Sequence, residues 1–479
     1  MLRFLDASWD FSLSNYGQVW SFLSQIGLLL MFLLMGNVLR RKIPLFKKCL
    51  IPSALLGGSL LLIVDLIGQA FGYNIVNNRI MQVITYHALG IGFAATTLKS
   101  KPKKIKISKS QVLENGFLQG GTYMLQAFTG LLLTIILFLV TKNSDRIVSY
   151  VSGVLLPLSF GQGPANALVW DNNFTNVEAA MFNGSGSFGL SLASIGFIVA
   201  SVVGVVYIYI FKKKGVLRIE EEKKEIIDLS NLTGNEIPDN ESIDKFSIQM
   251  GFVAFAYAIA FGIMCILAVI SDFTNSIAWG FNFIWAVIGA TLIKLVIKIL
   301  RKTNIMSRDY INNYQMDRIS GIAFDLMIVA GVSAIEIRNI ANYITPIILL
   351  AVIGCITSYL YIRAVAKHCY KGYEHEFFLM NFGTLTGTAS NGMILLKEID
   401  PNLKTPTSNL YILSTFYSTL FVAPLLFLLA FSAKSFNNAV IACIIFFILW
   451  LVYTAFLFRR KIFKKRFANK PVEVWKEEE

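Results

Sequence analysis

Two stretches of this chain combine small residues, hydroxyls and amides at a spacing suited to binding a small polar solute. The first reads Leu158-Ser159-Phe160-Gly161-Gln162-Gly163-Pro164-Ala165-Asn166-Ala167. The second reads Asn381-Phe382-Gly383-Thr384-Leu385-Thr386-Gly387-Thr388-Ala389-Ser390-Asn391-Gly392. Each carries Phe-Gly near its start, a further glycine soon after, and an asparagine three or four residues beyond it. Each also interrupts an apolar stretch, over 148–170 and 376–396. A broken helix frees N–H groups that suit an anion, and frees carbonyls that join Ser, Thr and Asn oxygens in suiting a hard cation such as Na+. Ser159, Gln162, Gly163, Asn166, Thr386, Thr388, Ser390 and Asn391 are therefore expected to bind substrate. The competing explanation is that the glycines only let helices pack closely. Two such breaks at matching places weigh against it.

The elements that must position these residues belong to a membrane protein. Of 479 residues, 55% are hydrophobic and 15% charged, against roughly 25% charged in a globular domain, and the mean hydropathy is +0.61. Eleven apolar runs lie near 18–39, 51–71, 81–98, 117–140, 186–211, 250–270, 279–300, 319–337, 344–365, 410–431 and 436–458. Each has about the length needed to cross a bilayer. Five cysteines stand singly, without a CxxC pair or a nearby His cluster, which argues against a metal centre or a disulfide framework. Lys and Arg exceed Asp and Glu by 14. In a chain of this kind the excess marks cytoplasmic loops and not a nucleic-acid surface.

Basic residues follow the first run (Arg40, Arg41, Lys42), the third (Lys99, Lys101, Lys103) and the fifth (Lys212, Lys213, Lys214). Placing these inside puts the N-terminus outside and the C-terminal tail, with Arg459, Arg460 and Lys461, in the cytoplasm. The segment before the first run, with Arg3, Asp6 and Asp10, reads as a retained tail. Stretches 148–170 and 376–396 must then cross an even number of times and are expected to be re-entrant hairpins entering from opposite sides. The mixed-charge segment 212–246 reads as a cytoplasmic linker between an N-terminal repeat, 1–211, and an inverted repeat, 247–432. The remainder, 433–479, adds a crossing without a counterpart and a basic tail. The expected fold is an all-α polytopic membrane protein. It comprises two inverted-topology repeats of five transmembrane helices, each with a re-entrant hairpin, plus one extra C-terminal transmembrane helix. That is a common construction of secondary transporters.

His87 and Asp325 fall in the third run of each half. Ionisable groups at membrane depth are costly and usually functional. His87 could alternatively be a neutral imidazole bonded to a neighbouring helix. Asp325, within Ile322-Ala323-Phe324-Asp325-Leu326-Met327, is expected to coordinate or couple a cation, with Thr384 completing a sodium site. Asp65 and Glu114 lie nearer span ends and read as solvated or capping residues. Lys294 and Lys298 are expected to snorkel to the inner surface. No Lys or Arg is then placed mid-membrane, so helix N-termini, hydroxyls and amides must hold an anionic substrate.

Three pieces resemble the glutamate:sodium symporter family in order and spacing across 18–431. They are Ile51-Pro52-Ser53-Ala54-Leu55-Leu56-Gly57-Gly58, the first break over Leu158 to Gly163, and the second break running into Leu395-Leu396-Lys397-Glu398-Ile399-Asp400-Pro401. The resemblance implies a homodimeric carrier of the bacterial inner membrane with sodium as coupling ion. It would import glutamate or a related amino acid or carboxylate by moving a hairpin-bearing domain against a fixed scaffold. The chain departs from the family at Gln162, where its members resemble one another in carrying a His, at Pro164, in the longer linker and in the extra last span. These departures bear on glutamate more than on sodium coupling. A same-class rival is a hydroxycarboxylate carrier, or a proton-coupled one working through Asp325. A membrane-embedded enzyme would show HExxH or GxSxG near a span end, and neither is present. A channel would have no need of two inverted hairpins.

Overall fold

The computed structural model describes residues 13–99, 107–141, 148–180, 182–216, 244–303, 310–340, 343–401 and 404–462. Their regular structure is entirely helical. In chain order the helices are α1 (Leu13–Lys42), α2 (Pro44–Lys48), α3 (Ser53–Ala70), α4 (Asn78–Leu98) and α5 (Lys109–Thr141). A 3-10 turn (Ser152–Leu155) and a π-helical turn (Leu158–Gln162) lead to α6 (Pro164–Thr175), α7 (Ser187–Lys213), α8 (Lys245–Ile270), α9 (Asp272–Gly280) and α10 (Asn282–Lys302). The rest are α11 (Asn313–Ser333), α12 (Ile337–Ile340), α13 (Ile344–Cys369), α14 (Glu374–Thr386), α15 (Ala389–Ile399), α16 (Thr407–Ser432) and α17 (Phe436–Ile462). Most of the expected linker, 217–243, the tail beyond 462 and residues 1–12 lie outside the described residues.

Among the described residues eight helices, not eleven, are long and apolar enough to cross a membrane. The count is nine if α16, bent by 50° between Thr415 and Tyr417, is taken as one span. The two that fall short are α4 and α11, each 21 residues long. Their polar residues, such as Gln82, Thr85 and His87 on α4 and Asp317, Arg318 and Asp325 on α11, lower their apolarity. These two helices pack along each other, with Ala88, Leu89, Met327 and Ala330 in a shared apolar cluster, while His87, Asp317, Arg318 and Asp325 are exposed. Elsewhere the outer faces are apolar: Val269 is 81% exposed, Ile266 68%, Leu34 66% and Leu360 62%. So much apolar surface fits lipid and not water, and the protein is membrane-embedded.

Packing divides the helices into two bodies. In one, α1, α3, α4 and α11 share an apolar cluster, and α4 and α11 join α8 and α10 through small residues such as Ala94, Ala256, Ala260, Ala286 and Ala290. Small side chains let backbones approach, which is how helices associate where lipid removes the hydrophobic drive. In the other, α5, α7, α13, α14, α16 and α17 share one large cluster. Helix α6 and the start of α7 reach across to the first body through Ala165, Leu168 and Leu190.

The last helix is built into the second body and not merely appended. The Phe117 ring lies 4.0 Å from both Phe421 and Phe456, and Tyr453 Oη donates to the Phe421 carbonyl at 3.1 Å. Arg459 Nη2 meets Glu114 Oε1 at 3.0 Å, and Ser110 Oγ donates to the same oxygen. Glu114 is only 2% exposed, so the expectation of a solvated or capping residue is corrected. A carboxylate withdrawn from water takes a counter-charge because desolvation is otherwise uncompensated. Asp65 is also buried, but it caps: its Oδ1 accepts from the Ile75 and Val76 N–H groups at 2.9 and 2.8 Å, fixing the loop between α3 and α4. Lys294 Nζ donates to the Thr97 and Lys99 carbonyls, at the C-terminal end of α4 where a cation meets the negative end of the helix.

Candidate functional site

Local sequence dictates both helix breaks. After the π-helical turn, Gly163 adopts φ 85°, ψ −179°, a conformation essentially restricted to glycine. Pro164 then opens α6 at N1, where its fixed φ fits and its missing N–H is not needed. In the second break, α14 ends at Thr386, Gly387 turns the chain at φ −140°, ψ −105°, Thr388 is extended, and α15 starts at Ala389. Helices α14 and α15 fold back on each other through facing glycines. A Cβ on Gly383 would stand 2.8 Å from Gly392 Cα, and one on Gly392 would collide with the Met380 carbonyl and Thr384 Oγ1. The breaks meet: the Cβ position of Gly163 lies 3.7 Å from Thr388 Cγ2 and from Met327 Cε. Gly163→Ala therefore has room for its methyl group but not the conformation, and should cost about 1–3 kcal/mol. Its thermal unfolding in detergent is expected to shift to lower temperature. An unchanged melting temperature would show that the break can relax without its glycine.

A cavity of about 130 Å³ lies where the breaks meet. Gln162 and Asn166 line it from the first break, and Thr384, Thr388 and Ser390 from the second. Gln119 and Tyr123 of α5 and Tyr411, Thr415, Ser418 and Thr419 of α16 extend this polar wall. Leu89 and Phe93 of α4, Phe283 and Ile284 of α10, and Phe324 and Met327 of α11 form the facing apolar one. Among the described residues no charged side chain lines the cavity. The starts of α6 and α15 both border it, bringing N–H groups and the positive ends of two helices to one space. Asn166 Nδ2 donates to Gln162 Oε1 at 3.0 Å, Tyr123 Oη donates to the Gly161 carbonyl at 2.8 Å, and Thr388 Oγ1 donates to Asn391 Oδ1 at 3.2 Å. These bonds orient the wall and leave acceptors and donors of either kind for a solute.

Four of the eight expected substrate residues, Gln162, Asn166, Thr388 and Ser390, share this wall. Gly163 adjoins it at the contact with Thr388. Ser159 is turned away, its Oγ donating to the Gly189 carbonyl on α7 at 3.3 Å. Thr386 is spent on its own helix, donating to the Phe382 carbonyl at 2.7 Å. Asn391 lies behind the wall as the acceptor for Thr388. The structure does not bring Asp325 and Thr384 together. Thr384 is on the wall, whereas α11 presents Phe324 and Met327 there and leaves Asp325 exposed. One residue advances a helix by about 100°, so Asp325 cannot share the face of both neighbours. It shares an exposed stripe with Ile322, so the apolar run around it did not signify burial. His87 is exposed and its Nδ1 is 2.9 Å from Tyr257 Oη on α8, the neighbouring-helix bond that was one of its two readings.

The contributions of α5 and α16 went unread. Their signal is periodicity: Gln119 and Tyr123, then Tyr411, Thr415, Ser418, Thr419 and Val422, recur at helical spacing inside apolar runs. Fold and site together define a polytopic membrane protein, all-helical over the described residues, with a cavity where the two breaks meet that has one polar wall and, among the described residues, no charged side chain. Set against models of known protein families and against curated protein sequences, the chain matches none.

Proposed function

We propose that the protein is a sodium-coupled secondary active transporter that imports an amino acid or related carboxylate by alternating access. One observation carries this reading: two helix breaks bring the starts of two helices to a single cavity that no charged side chain lines among the described residues. An anion there is held by dipoles and neutral donors, as in transporters with discontinuous helices. Reciprocal packing supports inverted repeats. Helix α1 lies on α3 as α8 lies on α10; α4 lies on α10 as α11 lies on α3; and α1 touches α11 as α8 touches α4. Exchanging the halves exchanges these pairs. In this reading the breaks are re-entrant hairpins, the N-terminus faces outward and the C-terminus the cytoplasm of a bacterial inner membrane. The two bodies slide past each other within each subunit of a homodimer. Sodium is assigned to oxygen groups near Thr384, with Asp325 outside the cavity wall.

Uptake of labelled amino acids and carboxylates into proteoliposomes tests the proposal. Accumulation should require an inward Na+ gradient and collapse with it. Uptake that ignores the gradient, or none across the panel, would overturn it. At the site, Thr388→Val and Gln162→Leu each remove a polar group from the wall, a loss on the order of 1.5–3 kcal/mol for a charge-assisted bond. The substrate dissociation constant should rise about tenfold or more by calorimetry at saturating Na+. Ser432→Ala, whose hydroxyl donates to the Leu429 carbonyl of its own helix, serves as the comparison and should bind like the parent.

A further inference from the structure

The two walls of the cavity differ in kind, and the difference specifies the solute more closely than the helix breaks do. Every residue that α4, α10 and α11 contribute is apolar. Three are phenylalanines forming one surface: Phe93 lies 5.1 Å from Phe283 and meets Phe324 edge-on at 5.7 Å and 84°. All the amides and all the hydroxyls stand opposite, on the breaks, α5 and α16.

From this we infer that the substrate is an amphipathic monocarboxylate: one carboxylate at the helix breaks, with the rest an apolar body of about ring size lying on Phe93, Phe283 and Phe324. The inference rests on the carboxylate-carrier reading above and narrows it. A second carboxylate, as in glutamate or succinate, would bring a second negative charge to a cavity that offers it only the neutral amides and hydroxyls of α5 and α16, or would lie against the phenylalanines. Ring faces carry negative charge density and offer it no hydrogen bond. A desolvated, unpaired carboxylate is strongly disfavoured, and no Lys, Arg or His lines the cavity among the described residues. The cavity measures about 130 Å³, near the roughly 150 Å³ that takes up benzene, which limits the apolar body to a single ring. Gln162 belongs to the same logic, since a neutral amide at the first break supplies hydrogen bonds without a second positive charge.

The test compares 3-phenylpropionate, L-phenylalanine, L-glutamate and succinate by calorimetry on the purified parent protein at saturating Na+. One or both phenyl compounds should bind at least about tenfold more tightly than either dicarboxylate. Phe324→Ala should weaken the phenyl compounds about tenfold, while Phe324→Leu, which keeps an apolar surface, retains most of the affinity. Should glutamate or succinate bind more tightly than both phenyl compounds, the amphipathic assignment falls and carboxylate transport stands. Should none of the four bind and the Na+ gradient drive no uptake of any carboxylate, the transporter reading falls, and this inference with it. The ligand comparison needs no variant to fold.

Discussion

Gly392→Val is expected to leave little folded protein to purify. Gly392 faces Gly383 across the α14–α15 contact, with the Met380 carbonyl and Thr384 Oγ1 already in the space a side chain would take. Neither obstacle is the free end of a flexible side chain: one is backbone, and Thr384 Oγ1 donates to the Met380 carbonyl at 2.8 Å. Overpacking of a close contact costs about 1–3 kcal/mol and sometimes more, and a small-residue contact between membrane helices depends on close backbone approach. Parting α14 from α15 would also move Thr388 and Ser390 off the cavity wall. Detergent extraction followed by size-exclusion chromatography should show aggregated or absent protein. Gly392→Ala, the milder version, should elute normally but melt at a lower temperature. A valine variant that elutes and melts like the parent would show that the two helices need no such approach.

The second large effect is expected at the join between α5 and α17, and it should be asymmetric. Arg459→Met removes the guanidinium from beside a carboxylate that is 2% exposed. Breaking a buried pair from one side costs about 3–5 kcal/mol; with the Arg459 side chain 29% exposed, a loss on the order of 3 kcal/mol is expected. Glu114→Gln instead leaves a neutral group of the same shape inside, and the arginine, already partly exposed, can turn toward water. That variant should lose about 1 kcal/mol or less, as for an exposed pair. Melting temperatures of both variants and of the double variant measure the coupling. Equal losses for the two single variants would show that Glu114 is not held in a water-poor environment.

Much of the fold could be read from composition, because long apolar runs and glycine-rich breaks are local signals. Helices α4 and α11 stretched that rule, since polar residues such as Gln82 and Asp317, the latter paired with Lys99 at 2.6 Å, interrupt their apolar runs. Of the residues expected from the motifs, Gln162, Asn166, Thr388 and Ser390 line the cavity, but their neighbours do not all face the same way. Ser159 lies within a π-helical turn, which rotates side chains out of the usual 3.6-residue register. Thr386 closes α14 with its hydroxyl returned to its own backbone. Such orientations depend on a few dihedral angles that residue type does not reveal. Glu114 was misread for another reason: its partner lies 345 positions away, and only the assembled fold brings it near.

That separation has a consequence for synthesis in the cell. At about 5–20 residues per second, translation reaches Arg459 roughly 17 to 70 s after Glu114 is added to the chain. Throughout that interval α5 exists without the guanidinium that later holds its carboxylate, and α17 is made after every other helix described above. The ion pair therefore acts as a late fastener, closing a body whose earlier members must wait for it. A nascent chain halted before Arg459 would expose the Phe117 face of α5 to whatever lipid, chaperone or second chain meets it first.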